Sequence, residues 1–373
     1  MSELSSVRDI SDKFIACILI TIVFLGLIIR FFYFPYDIPI NLDASAYFSY
    51  EYEMGKSGEF PKGFSLANNG WPTFLSIFFS VIKTGEFQTF VDLQRGVSIV
   101  ISVLTVFPMY ILCRKFFPKF IALIGSGLLV LEPRIITNSI LGITEPLFNI
   151  LIISSLAVFF SKKNWIYLSF ALLACATIVR YESFLIIIPF SIMFFVKSKK
   201  DDRKIFKYFL CLGIFILILL PMMMIRIETM GQDGILSHIS TAINAVSDHA
   251  IQGIPHDHPD VIDFPGEKNE FRLHNFLGVG FSNMFFSLGI IQIPIFIFFF
   301  PIGMFYLLRK NIIKKIDYRH ITLILIIIFT SLYILYSHGR GIQEIRYYFI
   351  LYPIIILVCS FGIEKIRGRI RDR

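Results

Sequence analysis

Charge is scarce where this 373-residue sequence is most apolar: long Ile, Leu, Val and Phe runs pass with almost no Asp, Glu, Lys or Arg inside them. A soluble domain must cover its surface with polar groups. A hydrophobic fraction of 55%, with 42 Phe, excludes that class. Cysteine is also sparse. Cys17, Cys113, Cys175, Cys211 and Cys359 fall in or at the edges of apolar runs, and no CxxC spacing occurs, which argues against a disulfide framework and a zinc site. There is no tandem repeat and no low-complexity tract.

What remains is a polytopic membrane protein. A run of about 20 apolar residues is needed to cross roughly 30 Å of hydrocarbon. Ten such segments are expected, beginning near Phe14, Leu93, Phe120, Pro146, Trp165, Ser183, Phe206, Phe286, His320 and Tyr347. The first exceeds a signal-peptide core and no small-residue cleavage site follows it, so it reads as a retained helix. The expected fold is an all-α integral membrane domain covering 1–373, with two long outer loops, 34–92 and 226–285, forming a cap.

Orientation follows from loop charge. With both termini cytoplasmic, the inner segments hold 23 Lys and Arg against 8 Asp and Glu, and the remaining positions hold 12 against 19. The net charge of +8 is then inner-leaflet anchoring to membrane lipid, and no nucleic acid is implied. The expected location is the cell membrane.

Inside the first outer loop, 43–53 contains no helix breaker, and Asp43, Tyr47 and Glu51 follow at steps of four along one helical face. Gly70-Trp71-Pro72 opens a second apolar stretch, to Ile82, too short to span. It is expected to be interfacial or re-entrant, with Trp71 at headgroup level. In the second loop an amphipathic helix is expected over 234–250, followed by an irregular stretch, 253–265.

Charged residues recur at the outer ends of the apolar runs, among them Arg30, Asp43, Arg95, Glu145, Arg180, Glu182, Arg226, Arg340, Glu344 and Arg346. Ionisable groups so close to the bilayer are costly, and their gathering on one side points to a reaction centre at that face. Asn41-Leu42-Asp43-Ala44, Arg95-Gly96-Val97-Ser98, Pro133-Arg134 through Thr144-Glu145-Pro146, and Arg346-Tyr347 with Pro353 occur in that order. Together they resemble the GT-C superfamily of membrane glycosyltransferases, particularly the protein-mannosyltransferase and aminoarabinose-transferase type.

The resemblance implies an inverting transfer of a sugar from a polyprenyl-phosphate donor to a hydroxyl on a protein, lipid or glycan acceptor, at an extracytoplasmic site. Asp43 would be the catalytic base, since a carboxylate can take the acceptor's proton. Its other expected service is as a helix N-cap. The second carboxylate of the protein mannosyltransferases' Asp-Glu pair is replaced here by Ala44. Glu145 would lie beside the sugar, although a helix N-terminus also favours a carboxylate. Arg346, with Arg340 and Arg95, would bind the donor phosphate, whose charge builds up as it leaves. Snorkelling or pairing with acids is the alternative for each.

Tyr47 and Trp71 are candidates for sugar or acceptor contact. His256-Asp257-His258 has metal-ligand chemistry, but the first outer loop lacks the Asp-x-Asp spacing of metal-dependent relatives, so no cofactor and no metal is expected. A transporter or flippase for a lipid-linked or anionic solute is the alternative function. Polar groups at one edge rather than at the midplane, and dissimilar halves, favour the enzyme.

Overall fold

The computed structural model describes residues 11–241 and 273–371, apart from 37, 41, 65, 83–84, 162–164, 314–316 and 341–343. Among the described residues the chain is helical, with no strand. The 253–265 stretch, including His256-Asp257-His258, lies outside them.

Among the described residues, four stretches are long and apolar enough to cross a membrane alone: α1 (Asp12–Phe32), the continuous pair α4 (Phe87–Leu104) and α5 (Val106–Cys113), α11 (Lys204–Met230) and α14 (Tyr318–Gly339). Two bent pairs raise the number to six if each is one span. They are α6 (Lys119–Val130) with α7 (Pro133–Ser139), bent by 48°, and α12 (Leu273–Gln292) with α13 (Phe296–Ile313), bent by 114°. The starts expected near Pro146 and Trp165 fall on α8 (Glu145–Phe159) and α9 (Ile166–Val179), of 15 and 14 residues. At about 1.5 Å per residue these reach roughly 22 Å, short of a full hydrocarbon crossing. Two further apolar helices are α10 (Ile187–Lys197), entered by a 3-10 turn at Tyr181–Ile186, and α15 (Tyr352–Arg371), entered by one at Ile345–Tyr348.

The core forms where these helices pack along one another: α8 on α9, α9 on α11, α12 on α14 and α13 on α15. Helix α15 is buried on every side from Ile354 to Ser360, because α13 and α6 both lie against it. Association between apolar helices in lipid depends on close backbone approach, which small residues permit. Gly303 and Gly362 supply it here: a Cβ on Gly303 would collide with the Val358 carbonyl.

Arg30 shows how a cation is accommodated at a helix end inside this core. It is fully buried in the last turn of α1. Its guanidinium donates to Ser139 Oγ at 2.9 Å, and to the Gly26 carbonyl, Ser102 Oγ and the Val130 carbonyl at 3.0 Å each. It thereby ties α1 to α4, α6 and α7. Its desolvation is offset by charge-assisted hydrogen bonds to neutral acceptors.

All five cysteines are free, as their placement within apolar helices requires.

Candidate active site

The first outer segment contributes α2 (Leu42–Ser57) and α3 (Gly70–Val81), packed face to face. Asp43 stands in the first turn of α2. Its carboxylate accepts from Arg346 of the 3-10 turn leading into α15, a residue 303 positions away. The same guanidinium donates from Nε to Glu344 at 2.8 Å, so Arg346 bridges two acids. All three side chains remain partly exposed. Burial opposes the charge on Arg346, but Asp43, Glu145 and Glu344 outweigh it and hold the side chain cationic.

A second cluster lies beside the first and is buried. Arg180, at the end of α9, donates to Glu145 Oε1 at 2.5 Å and to Glu182 Oε1 at 2.6 Å. Thr144 donates to the other Glu145 oxygen at 3.2 Å, and the Tyr333 hydroxyl reaches Glu182 at 3.2 Å. Glu145 is fully buried in the first turn of α8, where Pro146 costs no hydrogen bond and the helix N-terminus favours an anion.

Tyr47, one turn after Asp43, joins the two clusters. It senses Glu145 and Arg180 on one side and Asp43 and Arg346 on the other. Burial first, then Glu145, pushes its phenol above the ordinary value, so it remains a neutral donor. Asp43, Tyr47, Glu145 and Arg346 are thus drawn together from three separate regions of the chain.

The other expected site residues also bond within the protein. Arg95 is buried and donates to the carbonyls of Pro35 and Ile38 at 2.8 Å and of Pro39 at 3.3 Å. Those backbone acceptors engage both of its terminal nitrogens, so it pins the segment leading to Asp43, while its Nε has no partner among the described residues. Arg340 caps α14 and donates to its own helix's Tyr336 hydroxyl at 3.2 Å. Trp71 is fully buried rather than at headgroup level, because its indole N–H finds the Gly142 carbonyl at 3.0 Å. That carbonyl also accepts from Gln94 at 2.8 Å, and Gln94 donates to Ala44 O at 3.2 Å as well. Trp71 therefore belongs to the floor that carries α2. Arg226 does similar work, donating to Leu66 O at 2.9 Å and to Asn69.

Glu182 and Arg180 are visible in the sequence as edge charges. Their convergence on Glu145, 35 residues from Arg180, has no local signature, and neither has Tyr333. Glu51 sits on the Asp43–Tyr47 face as its spacing predicts. It is fully buried, and neither carboxyl oxygen has a hydrogen-bond partner among the described residues. Burial pushes its carboxyl well above the ordinary range. Among the described residues no group of three or more His, Cys, Asp or Glu is placed to hold a metal. Asp43, Glu145, Glu182 and Glu344 are each met by a guanidinium instead.

A sequence model of the dolichyl-phosphate-mannose-protein mannosyltransferases matches residues 71–225. No curated protein matches the chain by sequence. In structure, the apo oligosaccharyltransferase of Archaeoglobus fulgidus superposes with a TM-score of 0.65 over 96% of this chain and 51% of its own, at 12% identity. The same organism's AglB, in complex with an inhibitory peptide and a dolichol-phosphate, gives 0.60 over 95% and 50%, at 12% identity. ArnT from Cupriavidus metallidurans, bound to undecaprenyl phosphate, gives 0.59 over 95% and 61%, at 10% identity. The chain spans about half the length of the oligosaccharyltransferase and three fifths of ArnT. The matching family and these structural neighbours are glycosyltransferases, and the resemblance to the GT-C superfamily is present in sequence over residues 71–225 and in fold over nearly the whole chain.

Proposed function

We propose that the protein is a membrane glycosyltransferase that takes a sugar from a polyprenyl-phosphate donor and passes it to an acceptor hydroxyl, with inversion, at the extracytoplasmic face. The observation that carries this reading is the Asp43–Arg346 pair: a carboxylate and a guanidinium held together, both partly exposed, by elements 303 residues apart. Surface ion pairs contribute little stability, so a fold that brings these two ends together gains more in chemistry than in energy.

In the reaction, Asp43 accepts the proton of the acceptor hydroxyl as its oxygen attacks the anomeric carbon. The bond from that carbon to the phosphate oxygen breaks, and its electron pair leaves on the polyprenyl phosphate. Arg346 meets that growing charge, exchanging its carboxylate partner for the phosphate and releasing Asp43 to act as base. Tyr47 donates a hydrogen bond toward the sugar, and the Glu145–Arg180–Glu182 cluster braces the wall behind it. Binding of lipid phosphates by AglB and ArnT supports the donor class. The charge bias of the loops supports cytoplasmic termini and an outward-facing site in a cell membrane. The acceptor is a hydroxyl of a protein, lipid or glycan.

The test is sugar transfer by purified protein in lipid, supplied with a panel of polyprenyl-phosphate sugars and simple hydroxyl acceptors, comparing wild type with Asp43→Asn and Arg346→Met. Wild type is expected to transfer and release polyprenyl phosphate, and both variants to lose about a hundredfold or more of that rate. Undiminished transfer by folded Asp43→Asn would refute the base assignment. No transfer from any donor would overturn the enzyme reading in favour of transport.

A further inference from the structure

The end of the bundle opposite the Asp43–Arg346 site carries a cavity that the reaction does not use. Helix α9 runs away from it, from Ile166 to Val179 beside Arg180; α10 runs back toward it to Lys197; and α11 starts there at Lys204. The cavity has a volume of about 650 Å³. One wall is apolar, with Tyr167 and Phe194, and the other is cationic, with Lys197, Lys200, Arg203 and Lys207. Asp201 and Asp202 are the acids in its lining, which leaves two positive charges in excess.

Two of these cations are fixed in place. The Lys197 ammonium donates to the carbonyls of Phe159 at 2.5 Å and Ser161 at 2.9 Å, which uses two of its three N–H groups. Lys207 pairs with Asp201 at 2.5 Å. Lys200 and Arg203 are exposed at the rim.

The depth of the cavity comes from its neighbours. Trp165, the residue before α9, is 54% exposed, and an exposed tryptophan at a helix end marks headgroup level. Just beyond the cavity, on the first turns of α11, Ile205, Phe206 and Phe209 are 59%, 70% and 64% exposed, as side chains facing hydrocarbon would be. Water-side cations and a membrane-side aromatic wall therefore meet at the plane where lipid phosphates lie. Basic pockets between helices at that plane suit anionic headgroups.

We propose that this cavity binds a phosphoester anion, the headgroup of an anionic phospholipid in the leaflet opposite the reaction centre. The phosphate sits between Lys200 and Arg203 with the remaining N–H of Lys197 beneath it, and the glycerol and upper acyl carbons lie against Tyr167 and Phe194. A lipid held there links α9, α10 and α11 at the end remote from the Arg180 cluster.

Native mass spectrometry of the purified full chain, titrated with short-chain phosphatidylglycerol or phosphatidylcholine, tests this. Wild type is expected to retain phosphatidylglycerol preferentially. The Lys200→Gln/Arg203→Gln double variant is expected to lose about 30-fold in affinity, about fivefold for each cation removed. Both substitutions are at exposed positions, and unchanged gel-filtration and thermal profiles verify folding. A control double variant, Lys365→Gln/Arg367→Gln, removes the same charge from the same end on α15 and is expected to keep the lipid. Equal loss in both doubles, or no loss in the first, overturns the site. A parallel titration with inorganic phosphate distinguishes the source: phosphate that binds wild type, fails to bind Lys200→Gln/Arg203→Gln and displaces the lipid identifies a soluble phosphoester as the ligand.

Discussion

The two neighbouring guanidinium–carboxylate clusters should lose very different amounts of stability to the same substitution. Arg180 is 12% exposed, and its partners Glu145 and Glu182 are 0% and 5% exposed. Arg180→Met would strand two buried carboxylates with no cation between them. Breaking a buried pair from one side costs about 3–5 kcal/mol, because the charge left behind must be held desolvated or neutralised by a proton. Arg346 and Asp43 are 34% and 45% exposed. Water solvates what Arg346→Met leaves behind, and such a pair is worth at most about 1 kcal/mol.

Equilibrium unfolding in mixed micelles, followed by circular dichroism, gives both values on one scale. The expected order is a loss of about 3–5 kcal/mol for Arg180→Met and under about 1 kcal/mol for Arg346→Met, with the triple variant Glu145→Gln/Arg180→Met/Glu182→Gln recovering much of the first loss. Transfer activity should fall in both single variants, in one through folding and in the other through chemistry. If Arg346→Met proved the more destabilising, the assignment of Arg180 as brace and Arg346 as ligand would be refuted.

Other substitutions probe the support of the site. Burial holds the Glu51 carboxyl protonated in the fold at pH values where the unfolded chain has released its proton. Folded wild type should thus lose stability as pH rises from about 4.3, by up to about 1.4 kcal/mol per unit, until Glu51 ionises in the fold. Glu51→Gln should flatten that slope in thermal midpoints taken from pH 4.5 to 8, and an unchanged slope would contradict the isolation of this carboxyl. Gly70 lets α3 abut the end of α9: an added Cβ would meet the Ile178 carbonyl carbon and oxygen and the Val179 nitrogen at 2.7 Å each. Gly70→Ala should cost about 1–3 kcal/mol by overpacking, read as a lowered thermal midpoint, and a neutral result would disprove the close approach.

Helix-forming stretches and their edge charges are local properties, and they are legible in the sequence. The apolar runs declare themselves by length, Asp43, Tyr47 and Glu51 share a face because 3.6 residues make a turn, and the ordered motifs carry the glycosyltransferase resemblance. Pairing is a different matter. Asp43 and Arg346 are 303 residues apart in the chain, and each has closer charges it could have met. Arg95 and Arg346 read alike in sequence, as arginines at helix edges. Only the packed chain shows one spent on three backbone carbonyls and the other on an exposed carboxylate. Trp71 looks interfacial because an indole N–H ordinarily needs water or headgroups, and Gly142, 71 residues away, removes that need. Composition and the length of the apolar runs already declare a membrane protein built of helices with its charge at their ends, because an apolar helix satisfies its own backbone and charge is costly in hydrocarbon. Tertiary structure decided which of those charges brace the fold and which stand open to a substrate, because burial and partnership arise only when distant segments meet.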